Sequence, residues 1–508
     1  MNIYVGLDLG CTGCKAIAMD ENRNLLATAS HRYEGTLIAV ENNAYDQDPL
    51  ILRNAGMLCM KNVISKVDGN EIKAIGITAQ MHSLVALDSE RNILRPMISC
   101  VDARNNAQIQ EIYEKCGGLV QFLSMTNNRM VASCTGGKIL WMKENEPDLF
   151  KQIDVVITPK DYFRLILTGE VATDESDASG YGLYDVQNRC WNSKLLDLIG
   201  IPKKILPEVR QSNSCAGTVL PEIAAELHIM SDTRVVMGGG DAIVQTAGAG
   251  AVEEGVYSVV LGSGGNVSAV SDVYYDNREG RIQFYASSIP DMWVAYAGIM
   301  SVGNTTNWFR STFMENNSEA FKYLEKCATN TPPGSNGLIF FPSMLGQRNP
   351  VEDTNAKGIF LGLDIEHHKG HMFRAILEGI AFGMREVSET ITPACGEPEL
   401  LVLSGGGAEN DLWCQIFADV FQVPVKRAKN APYCGAKGAA ILAMGCDLDK
   451  RELQKLFKSN KVELMWEPKR ENASLYQELF EIYKTVYEAN KEEFIMLRSF
   501  REKYNNSK

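Results

Sequence analysis

Apolar positions along the chain fall into short continuous runs that alternate with longer stripes at helical spacing, the pattern of a mixed α/β protein. Residues 4–15, Tyr-Val-Gly-Leu-Asp-Leu-Gly-Cys-Thr-Gly-Cys-Lys, predict an apolar strand that ends in Asp8 and runs into a polar, glycine-bearing turn. The chain resumes at 15–19 as a second strand and at 24–30 as a third, so the unit reads strand, turn, strand. A polar linking stretch leads to Asp48 and Pro49, which suit the first positions of a helix running to about 67. Ile72-Lys-Ala-Ile-Gly-Ile-Thr78 is apolar almost throughout and predicts a buried central strand. It delivers Gln80-Met81-His82 to its carboxyl end, where open α/β sheets place their ligands. A further strand is expected at 84–88, short apolar runs close at 100–104 and 155–161, and residues 177–182 read as an exposed loop.

The pattern of 4–19 returns at 255–270, again an apolar strand, a glycine and hydroxyl turn at Gly262 and Ser263, and another strand. Two such hairpins predict two related halves, with a boundary near 249 that leaves domains of 1–248 and 249–508. Between them the strand 233–241 ends in three glycines and Asp241, a composition needed where backbone must be approached closely. In the second half, Gly303 stands at the mouth of a helix. Residues 401–408 read as a buried strand followed by a triple glycine, 435–440 open a small-residue helix, and charged helices close the chain from about 471 to 503.

Composition narrows the classes of function. With 508 residues, 22% charged and 45% apolar, the chain has the balance of a globular protein of two domains or more. A formal net charge of −13 argues against nucleic acid or an anionic membrane as a partner. No apolar run reaches membrane-spanning length, and the amino terminus enters a strand at once, so a cytoplasmic protein is expected. Thirteen cysteines, an odd number scattered through the chain, read as reduced thiols. Cys11 and Cys14 have the spacing of a redox or metal pair, but no second pair completes a four-thiolate site. His367-His-Lys-Gly-His371 reads as a solvated helix start.

The candidate chemistry lies at the strand mouths. Gly10 and Gly13 permit backbone angles closed to other residues, Thr12 offers a hydroxyl, and successive N–H groups of such a turn can converge on an anion, which makes a phosphate seat. Asp8 and Asp241 each end a buried strand beside a glycine turn. If those strands are neighbours, one carboxylate can hold Mg²⁺ against phosphates while the other takes a proton from an attacking hydroxyl. Asp241 could equally be a turn or helix cap, and its spacing alone leaves both readings open.

Together these motifs resemble the FGGY carbohydrate kinases of the actin and hexokinase superfamily, from residue 4 to about 444. Asp8-Leu-Gly-Cys-Thr-Gly is similar to the family's first phosphate motif, Asp-Leu-Gly-Thr-Ser-Gly, and Leu261-Gly-Ser-Gly-Gly to the second. Residues 133–145 and 358–378 resemble the two family signatures. The resemblance implies two ribonuclease H-like domains with a cleft between them, ATP and Mg²⁺ as cofactors, and a small-molecule sugar as partner; a homodimer is common in the family, and the sequence leaves the oligomeric state open. It implies that Asp241 is the general base, that Asp8 serves metal and phosphates, and that both carboxylates belong to the metal site. Thr12, Gly13, Lys15, Gly262, Ser263, Gly303, Gly406, Gly407 and Ala408 would line the nucleotide, the last three under the adenosine.

Gln80-Met81-His82 is similar to the Gln-Met-His of the xylulokinase branch, whose Met-His pair contacts the sugar; by that resemblance Gln80, Met81 and His82 would bind the sugar, with Asp102 and Asp241 on the same side. D-xylulose is therefore the first expected substrate. Two departures bear on it. Ala242 stands where that branch usually has Asn, and Ser99-Cys-Val-Asp-Ala-Arg104 replaces Trp-Asn-Asp-Gly-Arg. A buried hydroxyl deprived of such an amide would cost about 1–3 kcal/mol. Other ketoses, polyols and autoinducer-type substrates are the alternatives; an actin-like ATPase or a catalytically silent sugar sensor is the alternative of another class.

Overall fold

The computed structural model describes residues 1–41, 43–314, 319–458 and 464–505. The chain forms two compact units, each gathered from three segments. Met1–Val252, Val270–Val294 and Tyr433–Asn460 make the first, and Glu253–Ala269, Ala295–Pro432 and Lys461–Lys508 make the second.

The first unit is built on a mixed sheet in the order Cys215–Thr218, Arg234–Val236, Ile72–Ala79, Ile3–Leu9, Gly13–Asp20, Leu25–Arg32. Ile72–Ala79 is central as expected, with parallel neighbours on both sides. Alternation along Ile3–Leu9 assigns its two faces. Ile3, Val5, Leu7 and Leu9 pack with Met60 and Val63 of the helix Pro49–Ile64. That helix starts where the sequence indicates, Asp48 accepting a hydrogen bond from the Leu50 N–H at 2.9 Å and Pro49 occupying the first turn.

The opposite face carries the helix Cys434–Met444, which lies on the sheet so closely that only glycine fits beneath it. A β-carbon on Gly6 or Gly76 would fall 1.9 Å from the carbonyl oxygens of Ala436 and Ala439. The small-residue composition of 435–440 thus has a packing cause.

Two expectations need correction. The polar linking stretch holds the strands Leu37–Glu41 and Ala44–Gln47, which form a three-stranded sheet with Met97–Ile98. Residues 177–182 are not an exposed loop: Asp177 is 1% and Tyr181 0% exposed. They are drawn inward because Asp174 and Asp177 neutralise the buried Lys160, whose Nζ lies 2.9 and 3.4 Å from them.

The second unit repeats the opening hairpin. Val256–Leu261 pairs antiparallel with Gly265–Ser271 and parallel with Leu400–Ser404, just as Ile3–Leu9 pairs with Gly13–Asp20 and Ile72–Ala79. Val425–Arg427 extends the sheet in parallel beyond Leu400–Ser404. The helix Lys369–Cys395 begins at the histidine cluster, His368 Nδ1 accepting from the Gly370 N–H at 3.1 Å. The helix start is solvated as expected at His368 and Lys369, whereas His371 is only 7% exposed. Among the described residues no helix is long and apolar enough to cross a membrane.

Candidate active site

Both carboxylates singled out in the sequence belong to the first unit, and the sheet brings them to the same end of the same strand. Asp8 is the register partner of Thr78, and Thr78 is the partner of Gly239 on its other side. Gly240, opposite Ala79, then hands the chain to the helix Asp241–Ala249. Asp8 and Asp241 therefore flank the carboxyl end of Ile72–Ala79, one strand spacing to either side. Asp241 is indeed the first residue of a helix, and its Oδ1 accepts from the Ala242 N–H at 2.9 Å.

The triple glycine explains how Asp241 reaches this place. Gly238 has φ +73°, and a β-carbon there would lie 1.9 Å from the Ile77 carbonyl oxygen. One on Gly240 would lie 2.5 Å from Cγ of Met81. The close approach lets the Met81 N–H donate to Asp241 Oδ1 at 3.4 Å. Burial, and next the charge of Asp8, push the Asp241 carboxyl up to about 7. Burial likewise pushes Asp8 up to about 6, against the lowering effect of Lys15, its neighbour across the hairpin. Neither residue is fully buried. A carboxylate titrating near neutrality and open to a reactant is suited to accept a proton.

The remaining residues expected in this half are distributed around the pair. Thr12 is exposed at the turn, Gly13 partly exposed behind it, and Lys15 sits with its Nζ 5.8 Å from the Tyr433 ring centroid. Gln80 is buried, its Nε2 donating to Gln47 Oε1 at 3.0 Å. Met81 is buried against Gly240 and Gly180. His82 has a positive φ of 70°, and its Nδ1 pairs with the Gly180 carbonyl at 2.9 Å. Its own carbonyl accepts from Lys138 Nζ at 2.9 Å. Asp102 differs from the others, for its carboxylate is closed off by Arg104 Nε at 2.8 Å and the Tyr45 N–H at 2.5 Å.

Several residues of the site left no mark that sequence reasoning could use. Thr78 Oγ1 donates to the Gly239 carbonyl at 2.7 Å and ties the glycine segment to the central strand. Ser176 Oγ accepts from the Gly240 N–H at 3.0 Å and donates to Asp174 Oδ2 at 2.5 Å, which joins that segment to the buried Lys160 cluster. Gln47 is fully buried, and its Nε2 has no partner among the described residues. Thr78 reads in the sequence only as the end of a buried strand, and Ser176 and Gln47 are lone polar residues in stretches without a motif.

In the second unit the expected nucleotide residues gather at the carboxyl end of Val256–Leu261. The Gly303 N–H donates to the Gly262 carbonyl at 2.8 Å, and the Val302 and Asn304 N–H groups donate to the Ser263 carbonyl at 2.9 and 3.1 Å. The hairpin turn is thereby seated on the start of the helix Gly303–Phe313. Gly407 packs on Leu261 so tightly that its β-carbon would lie 2.7 Å from Leu261 Cβ, while Gly406 faces open space and Ala408 is buried. A turn of accessible backbone next to a bare glycine face suits phosphates and a flat base.

Comparison with known proteins gives the family. Residues 3–248 match the N-terminal domain of the FGGY family of carbohydrate kinases, and residues 257–445 match its C-terminal domain. The chain belongs to the FGGY family of carbohydrate kinases.

It is 32% identical to the xylulose kinase of Bacillus subtilis (strain 168), over 99% of this chain and 100% of that one. The ligand-bound xylulose kinase from Lactobacillus acidophilus superposes with a TM-score of 0.89 at 27% identity, covering 98% and 100% of the two chains. Gluconate kinase from the same organism superposes with a TM-score of 0.88 at 27% identity, covering 98% and 99%. As a member of the FGGY family the chain is a two-domain α/β enzyme that transfers phosphate from ATP to a sugar.

Proposed function

We propose that this FGGY kinase phosphorylates the terminal hydroxyl of D-xylulose, with Asp241 as the general base. The observation that carries the reading is the Asp241 carboxylate itself, pushed up to about 7 and held by two backbone N–H groups beside Gln80, Met81 and His82. Asp241 takes the hydroxyl proton as the sugar oxygen attacks the γ-phosphorus, and ADP leaves with the bridging oxygen. A base matched to the working pH accelerates such a step by roughly 10²–10⁴.

Thr12, Gly13 and Lys15 offer the first turn to phosphate. Gly262, Ser263, Gly303, Gly406, Gly407 and Ala408 supply the nucleotide surface of the second unit. Gln80 and His82 orient the sugar, while Met81 and Asp102 act from behind, Met81 through its N–H on Asp241 and Asp102 by fixing Arg104. Mg²⁺ fits the donor set, because the charge of Asp8 raises the proton affinity of Asp241, and such neighbouring carboxylates gain from a divalent cation held with several of its waters. Asp8 and Asp241 would hold it, and when bound it offsets phosphate charge. Thirteen cysteines, none of them in a disulfide among the described residues, support a reducing cytoplasmic setting.

Release of ADP measured with D-xylulose, other ketoses, polyols and gluconate tests the substrate. D-xylulose should show the highest kcat/KM of the panel. Higher kcat/KM with gluconate or a polyol would refute this choice and leave the family unchanged.

A further inference from the structure

Two thiols far apart in sequence meet at the site described above. Cys11 lies in the turn between Ile3–Leu9 and Gly13–Asp20, and Cys100 lies just after Met97–Ile98; their Sγ atoms are 3.2 Å apart. Both are partly exposed, and both belong to the first unit. Cys100 Sγ also reaches Gln80 Oε1 at 3.4 Å. The contact thus joins the proposed phosphate turn to a residue of the proposed sugar side.

We propose that Cys11 and Cys100 are a redox modification site, converted by a hydroperoxide into a reversible disulfide that turns the kinase off.

A second pair, Cys14 and Cys59, is equally close at 3.1 Å, but these residues are 1% and 0% exposed and packed in the core of the sheet and the helix Pro49–Ile64. Proximity alone does not distinguish the two pairs; access does. Local charge then orders the reaction. The hydrogen bond from Cys11 lowers the Cys100 thiol, and Lys138, whose ammonium is fixed on the Ser99 carbonyl at 2.8 Å, adds to the effect. The same pairing raises Cys11.

Cys100 thiolate attacks one peroxide oxygen and breaks the O–O bond, giving a sulfenic acid and, for hydrogen peroxide, one water after protonation. Cys11 sulfur then attacks the Cys100 sulfur, loses its proton and displaces the second water. Two thiols and one hydrogen peroxide become one disulfide and two waters. Drawing the sulfurs together to about 2 Å pulls the turn bearing Thr12 and Gly13 toward Cys100 and deprives Gln80 of the thiol beside it.

The test uses the full chain. After treatment with hydrogen peroxide, peptide mapping under non-reducing conditions should show the Cys11–Cys100 cross-link, with the protein lighter by two hydrogens. Kinase activity should fall about tenfold or more in step with the cross-link and return with dithiothreitol. Cys100→Ser, compared with its own untreated activity, should keep most of it under the same treatment. Absence of the cross-link, a cross-link without loss of activity, or equal loss in Cys100→Ser would overturn the proposal. The mapping and its reversal need no variant. The activity arm rests on the kinase reading, whereas the cross-link does not, so failure of one is distinguishable from failure of the other.

Discussion

A β-carbon on Gly435 would lie 2.5 Å from Oδ2 of Asp8. Gly435 is the second residue of the helix Cys434–Met444, so the first turn of that helix abuts the carboxylate, where the helix dipole favours negative charge. Residues more than four hundred positions apart in the chain therefore share one task, the placement of Asp8.

Gly435→Ala follows from this contact. Alanine is the better helix former, so the helix itself is not weakened, but Asp8 must shift. The apparent Mg²⁺ requirement in a kinase assay should rise about tenfold, with the nucleotide affinity of the second unit little altered. An unchanged Mg²⁺ titration would show that the Asp8 carboxylate does not serve the metal.

Asp241→Asn keeps the shape and removes the proposed base. We expect kcat to fall by roughly 10²–10⁴ while nucleotide binding persists. In the unchanged enzyme, kcat/KM should rise with pH as Asp241 loses its proton near 7 and then level off. A profile flat between pH 6 and 8, about a unit either side of that value, would argue against Asp241 as the base.

The same two carboxylates set a pH dependence of stability. Both are pushed up in the folded chain, Asp8 to about 6 and Asp241 to about 7, from an unfolded value of 3.8. Between those values the folded state binds more protons than the unfolded state, so stability without ligands falls as pH rises from about 4 to about 7. Denaturant midpoints across that window should decline, and Asp241→Asn should flatten the decline.

Lys160→Met tests the buried cluster behind the site. Its ammonium lies 2.7 Å from Asp161, 2.9 Å from Asp174 and 3.4 Å from Asp177, all fully buried. Removal leaves three carboxylates facing Arg164 alone among the cluster's cations, and should destabilise the first unit by about 3–5 kcal/mol in denaturant unfolding.

His82→Asn keeps a residue that tolerates the positive φ of 70° but shortens the side chain that pairs with the Gly180 carbonyl. The KM for the sugar should rise about tenfold with kcat changed less, the split expected of a binding residue. Equal loss in kcat would move His82 from orienting the sugar to the chemical step.

Local pattern was enough to read the two hairpins, the buried strand Ile72–Ala79 and the helix start at Pro49, because burial of a strand or helix face is written in residues two to four positions apart. The three glycines before Asp241 were legible for a similar reason: bare backbone signals close approach even when the approaching atom is unknown. What approaches is Met81 and the Ile77 carbonyl, and that needs the sheet register. The burial of 177–182 was misread because Asp174 and Asp177 look like surface residues until Lys160 is placed among them, and a charge pair across the fold has no sequence period.

By itself the order of residues determined the class of fold, the repeated hairpin and the carboxylates at the strand ends. Tertiary structure alone decided that Tyr433–Asn460 returns to the first unit to seat a helix on Gly6, Gly76 and Asp8, and that Cys11 meets Cys100. Apolar periodicity is a local consequence of burial, whereas the meeting of distant backbones depends on chain path and register, which become definite only when the sheet is assembled.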